Sequence, residues 1–171
     1  MKKYTLAAAL VSVLAAGQAY AAPNTSSADA SASSVIIQPV TVLKDSDLAF
    51  GRIVKPSTGT GTVAIANTAD SVNASGAVAL AGIATSRAKF TISGEGGQSV
   101  GITVPASVTM SNGTDTLDVT LNGDLGTSTT LSGALGDTGT AALNVGGSFN
   151  LASTAKTGTY VGTFKVDVAY Q

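Results

Sequence analysis

From Val35 to Tyr170, short runs rich in Val, Ile, Leu, Thr and Phe alternate with clusters of Gly, Asn, Asp and Ser. The runs are Val35–Leu43, Leu48–Val54, Thr62–Ala66, Ala77–Ala81, Lys89–Ser93, Ser99–Val104, Ser107–Met110, Thr116–Leu121, Ala141–Val145, Ser148–Leu151 and Thr159–Tyr170. Many short β-prone runs with close turn signals and no helical period predict an all-β, antiparallel sandwich or barrel. Gly94-Glu95-Gly96-Gly97 separates two alternating runs, and Asn112-Gly113 and Asn122-Gly123 are turn dipeptides. Lys44-Asp45-Ser46-Asp47 reads as a turn after the first run, and Gly59-Thr60-Gly61 and Gly126 to Thr130 read as surface loops.

The last run has the sharpest pattern. Its even positions are Tyr160, Gly162, Phe164, Val166, Val168 and Tyr170, and its odd positions include Thr163, Lys165, Asp167 and Gln171. Successive side chains of a strand point to opposite faces. The pattern therefore predicts one long strand over Thr159–Tyr170 whose even residues form an apolar pairing face.

The N-terminus follows a different rule. Lys2 and Lys3 precede a short run of Ala, Leu and Val, which closes on Ala19-Tyr20-Ala21. A charged start, a short apolar core and a small-x-small exit predict a cleaved signal peptide over 1–21. A membrane span needs about 20 predominantly apolar residues, and neither this run nor any later one supplies them. Export leaves an arm over 22–38 and a β-sandwich domain over 39–171, with seven basic against ten acidic residues and a net charge of −3. That charge points to neither nucleic acid nor an anionic membrane as partner.

Histidine and cysteine are both absent from the 171 residues. Without them a Ser-His-Asp triad, a thiol nucleophile and an ordinary zinc site cannot be built. No enzyme, metal or cofactor is expected. Ser153-Thr154-Ala155-Lys156 and Lys156-Thr157-Gly158 match two motifs of penicillin-recognising enzymes, but one lysine would serve both. Asp137-Thr138-Gly139 matches the aspartic-protease triplet without the second copy that chemistry needs. Asp45 with Asp47, and Asp115 with Asp118, lack the spacing of a calcium loop and read as solvated turn acids.

The ending of the chain, with an aromatic at Tyr170 before Gln171, resembles subunits of chaperone–usher pili. Lys44-Asp45-Ser46-Asp47-Leu48-Ala49-Phe50-Gly51 with Ile53-Val54, and Lys156-Thr157-Gly158-Thr159-Tyr160, resemble a family of short exported bacterial proteins of unassigned function. That family is similar to spore-coat-U-type pilins. The resemblance implies an immunoglobulin-like sandwich that is incomplete and completed by strand donation. It further implies other copies of the chain or related subunits, a periplasmic chaperone and an outer-membrane usher as partners. The location it implies is a fimbrium at the cell surface, with a role in adhesion or biofilm. Many pilins of that class carry a disulfide, which this chain cannot form.

On that reading the arm donates a strand, with Ala28, Ala30, Ala32 and Ile36 on the inserted face and Asp29, Ser31 and Ser33 on the other. Pro39, which has no N–H to donate, is the joint to the domain. A polar Ala/Ser tail with no role is the alternative reading of the same residues. At the level of function the alternative is a self-complete surface or matrix sandwich that does not polymerise. A carbohydrate-binding module would want exposed aromatics, and Phe50, Phe90, Phe149, Tyr160, Phe164 and Tyr170 are the only ones after the leader.

Overall fold

A computed structural model describes residues 24–171. The signal peptide expected over 1–21 lies outside the described residues, as do Ala22 and Pro23. Residues 24–35 contain neither strand nor helix, and their side chains are exposed.

The second unit, Ile36–Gln171, holds twelve strands. They are β1 Thr41–Ser46, β2 Ile53–Val54, β3 Thr60–Ile65, β4 Val72–Ser75, β5 Val78–Ala79 and β6 Ala88–Glu95. Then follow β7 Ser99–Thr103, β8 Ser107–Ser111, β9 Thr116–Gly123, β10 Ser128–Thr130, β11 Thr138–Ala152 and β12 Asp167–Tyr170. No helix occurs among the described residues, and every pairing between these strands is antiparallel. The unit is an all-β antiparallel sandwich. One sheet runs β1-β6-β11-β3-β4 with β9 and β8 joined through β11, a second runs β10-β7-β12, and β2 pairs β5.

Alternation builds the core. Along β6, Ala88, Phe90 and Ile92 are buried while Lys89, Thr91 and Ser93 are less so. Val63 and Ile65 of β3, Val100 and Ile102 of β7, Val119 and Leu121 of β9, and Leu143 and Val145 of β11 complete one hydrophobic cluster. Gly97, at φ 72°, makes the turn from β6 to β7 in a backbone region that favours glycine.

β11 unites two runs, Ala141–Val145 and Ser148–Leu151, that read separately in the sequence. Its first half pairs with β6 and its second with β3, and the change falls at Gly146-Gly147. A Cβ on Gly146 would collide with the backbone of Ile65, Ala66 and Asn67. The glycines mark a close approach of two segments of the backbone, not a loop.

Several expected boundaries move. The first strand begins at Thr41, not Val35, because Pro39 cannot donate to a ladder and Val35 and Ile36 stand exposed. Lys44-Asp45-Ser46 is not a turn but the end of β1, with a register shift between Lys44 and Ser46 opposite β6. Leu48–Val54 contributes only the bridge from Ala49 to Ser86 and the two residues of β2. Thr60-Gly61 opens β3 and Ser128–Thr130 forms β10, although both segments read as loops. Neither carries large apolar side chains, so pairing with a neighbour and not hydrophobic pattern makes them strands. β4, with Val72 as its one large apolar side chain, is likewise a strand through its pairing with β3.

Candidate functional site: the last strand and the groove beside it

The expected strand over Thr159–Tyr170 is shorter than its pattern. Only Asp167–Tyr170 forms β12, paired with β7. Before it, Val161 exchanges two backbone bonds with Ser111, of 2.9 and 3.0 Å. Residues Gly162 to Val166 make no other ladder bond. Tyr160, Gly162, Phe164 and Val166 therefore lie outside the ladder, and Val168 and Tyr170 lie inside it. The cause is the partner. β7 and β8 lie end to end along the last run, and between them Val104-Pro105-Ala106 leaves the strand. Extending the β12 register backwards would set Val161 opposite Thr109, yet it pairs with Ser111, so the ladder slips by two residues across that break.

Exposure alternates along the run without regard to the ladder. Tyr160, Phe164, Val166, Val168 and Tyr170 are half-buried, Gly162 is exposed, and the odd residues are exposed. Phe164 meets Phe90 edge-on, with ring centroids 6.2 Å apart. At Gly162 a Cβ would come within 2.6 Å of the Thr109 carbonyl, so the backbone passes hard against β8 there.

An open groove of about 730 Å³ lies at the start of this run. Leu48–Lys55 forms one wall and Lys156–Tyr160 the other, over a floor of Met110, Leu117, Phe149 and Leu151. Phe50 and Phe149 brace the floor as a T-shaped pair at 4.9 Å. Lys55 donates from Nζ to the Ala155 carbonyl at 2.9 Å and ties the walls at one end.

Asp115 sets the second wall. Its carboxylate accepts from the Lys156 N–H at 3.1 Å and the Thr116 N–H at 3.1 Å, and the Tyr160 hydroxyl reaches it at 3.4 Å. That hydroxyl also donates to the Lys156 carbonyl at 2.8 Å. The N–H donors of Lys156 and Thr116 hold the Asp115 carboxyl below its ordinary range, while burial and then the Asp115 charge raise the Tyr160 phenol. The other candidate calcium acids are also engaged. Asp45 accepts from the Thr91 hydroxyl, Asp47 pairs with Lys44, and Asp118 accepts from the Thr109 hydroxyl. In the segment of the matched catalytic motifs, Ser153 donates its N–H to Gly59 and Ala155 to Ala152, closing a turn before the last run.

A second cluster joins the two ends of the domain. Glu95 is 2% exposed, and its carboxylate accepts from the N–H groups of Gly136 and Gln38. Its own N–H donates to the Tyr170 hydroxyl at 2.7 Å, and that hydroxyl donates to the Gln38 carbonyl at 2.7 Å. Thr138 adds a bond from its hydroxyl to the Gln38 side chain at 3.0 Å. Gly94 is required beside them, since a Cβ would overlap the Tyr170 hydroxyl. Sequence reasoning reads Glu95 only as a turn residue. The signal it offers is a lone acid among glycines at a strand end. Ahead of Gln38, the arm residues Ala28, Ala30, Ala32 and Ile36 are all exposed.

The class is thus an antiparallel β-sandwich whose last strand is only partly laddered and borders an apolar groove. The chain belongs to the family described as a domain of unknown function, DUF4402, whose match covers residues 40–170. No curated protein and no solved structure matches it.

Proposed function

We propose that the protein is a structural subunit of a surface pilus, related to spore-coat-U-type and chaperone–usher pilins and assembled by donor-strand exchange. The observation that carries this reading is the apolar groove between Leu48–Lys55 and Lys156–Tyr160, beside a terminal run with few ladder bonds. An added strand would supply backbone partners and cover the floor, which is β-augmentation. On this reading the domain is an incomplete immunoglobulin-like sandwich. The donor is the arm of another copy, carrying Ala28, Ala30, Ala32 and Ile36 inward. A periplasmic chaperone and an outer-membrane usher handle the subunit, the fimbrium is its destination, and adhesion or biofilm is its role. No catalytic residue, metal or cofactor enters the scheme.

Two observations favour the second reading, a self-complete surface or matrix protein. β12 pairs within its own chain, and Tyr170 closes on Gln38.

Arm variants decide between them. Deleting 22–34 should abolish polymer. Ala30→Asp with Ala32→Asp should also block it, whereas Ser31→Asp with Ser33→Asp should be tolerated, because alternate residues face opposite sides of a strand. Each buried methyl is worth about 0.8 kcal/mol, too little to offset two desolvated charges. Fibres are scored by electron microscopy and subunit ladders by unheated gel electrophoresis. Polymer from the arm-deleted protein, or none from the unaltered one beside its chaperone and usher, would leave the matrix reading.

A further inference from the structure

The groove has an electrostatic character that its apolar floor conceals. Seven basic residues follow the leader: Lys44, Arg52, Lys55, Arg87, Lys89, Lys156 and Lys165. Four of them pair with aspartates: Lys44 with Asp47 at 2.7 Å, Arg87 and Lys89 with Asp70 at 3.6 and 2.8 Å, and Lys165 with Asp167. The remaining three, Arg52, Lys55 and Lys156, form no ion pair among the described residues, and all three line the groove, with the Lys156 charge near the Asp115 carboxylate that its own N–H bonds. No Asp or Glu among the described residues lines it. In a protein with net charge −3 after its leader, the groove that Lys55 ties across thus gathers these three cations against a single carboxylate, that of Asp115 behind the second wall.

An occupant that fits is apolar on one face and acidic on the other. The arm has that chemistry. Between Pro23 and Leu43 its only ionisable side chain is Asp29, which falls at an odd position among the inward-reading Ala28, Ala30 and Ala32. A strand that lays its even residues on Met110, Leu117, Phe149 and Leu151 turns Asp29 up to the rim, where the long Arg and Lys side chains reach.

We infer that Asp29 in the arm of a second copy docks against Arg52, Lys55 and Lys156, and that this pairing sets the direction in which the arm enters the groove. The inference rests on the pilus reading above. Lys55 and Ala155 meet at one end of the groove, so Asp29 sits at that end. Ile36, seven residues on, lies roughly 23 Å further along an extended arm, toward Leu48. The arm runs antiparallel to the Leu48–Lys55 wall.

Paired cysteine variants read this directly, because the chain has no cysteine of its own. Ser31→Cys marks the rim face of the arm beside Asp29 and leaves that charge in place. Thr157→Cys marks the cationic end of the groove and Ala49→Cys the opposite end of the facing wall. Under mild oxidation the full-length secreted protein with Ser31→Cys and Thr157→Cys should give intermolecular ladders on non-reducing gels, and the Ser31→Cys and Ala49→Cys protein should not. Adding Asp29→Lys should slow the productive cross-link by about two- to fivefold, the fold-change a solvent-exposed ion pair supports. Raising the salt concentration should do the same. Cross-linking through Ala49→Cys instead, or equally through both, or a rate indifferent to Asp29→Lys, overturns the inference and leaves strand donation standing. Absence of both cross-links also overturns it. If the unaltered protein then forms no ladder either, the pilus reading falls with it.

Discussion

Glu95 is a carboxylate in a part of the sandwich otherwise closed to charge, and its environment explains how it is held there. The N–H donors of Gly136 first and Gln38 second keep its carboxyl below the ordinary value of 4.5, against the opposing effect of burial. The folded state therefore favours the carboxylate. The stability this supplies is present above the ordinary value and is lost as pH falls through the lowered one. Asp115 and Asp70 are lowered as well, through the Lys156 N–H and the Lys89 ammonium respectively, so they add to the same acid limb. Replacing Glu95 by Gln should lower stability most at neutral pH, where an amide cannot accept both bonds as an ion does. The gap to the unaltered protein should close as pH drops below the carboxylate range. Urea midpoints taken from about pH 2 to 7 measure it, and a gap constant across that window would refute the assigned role. Tyr170 belongs to the same cluster: the penultimate aromatic is a hydrogen-bonding hinge pin between Glu95 and Gln38 as well as an apolar side chain.

At the scale of elements, two segments show how pattern and pairing part company. The run from Tyr160 to Tyr170 keeps its alternation although its ladder is broken opposite Pro105. Phe164 and Val166 pack on the core without backbone partners of their own. Replacing either by Asp should cost about 2 kcal/mol or more, from lost apolar contact and a charge facing the core. Lys165→Ser, which loses only an exposed pair with Asp167, should stay within about 0.5 kcal/mol. Equal sensitivity of the even and odd positions in urea unfolding would contradict an inward Phe164 and Val166. In β11 the opposite holds. Thr138–Ala152 looks like two runs interrupted by glycine, yet it is one strand, because Gly146 lets Ile65 and Ala66 approach.

For the whole molecule, the proposed strand donation predicts that an arm bound in the groove stabilises the fold. A ligand that binds only the folded state stabilises it in proportion to occupancy, by about 2.7 kcal/mol at a hundredfold excess over Kd. A synthetic peptide of residues 24–38 should therefore raise the thermal unfolding midpoint of the purified protein. The same peptide with Ala30→Asp and Ala32→Asp should leave it unmoved. Calorimetry over a peptide titration measures both, and an unshifted midpoint with the unaltered peptide would argue for the self-complete sandwich.

What the residues decide by themselves is local. β-branched and aromatic runs, alternation and turns such as Asn112-Gly113 and Gly96-Gly97 suffice for an all-β antiparallel sandwich, because each acts through neighbours in the chain, whereas Asn122-Gly123, which also reads as a turn, is the end of β9 paired with β11. The sequence likewise excludes histidine and thiol chemistry outright. What only the tertiary structure decides is relational. The Thr60-Gly61 start of β3, and the short strands β4 and β10, exist because a partner edge lies beside them. Glu95 matters because Gln38 and Tyr170 arrive from the two ends of the domain. The groove joins Leu48–Lys55 to Lys156–Tyr160 across about a hundred residues of chain. No local pattern encodes which distant backbone will stand opposite a given residue, and hydrogen-bond partners, close approaches and unpaired cations all depend on that.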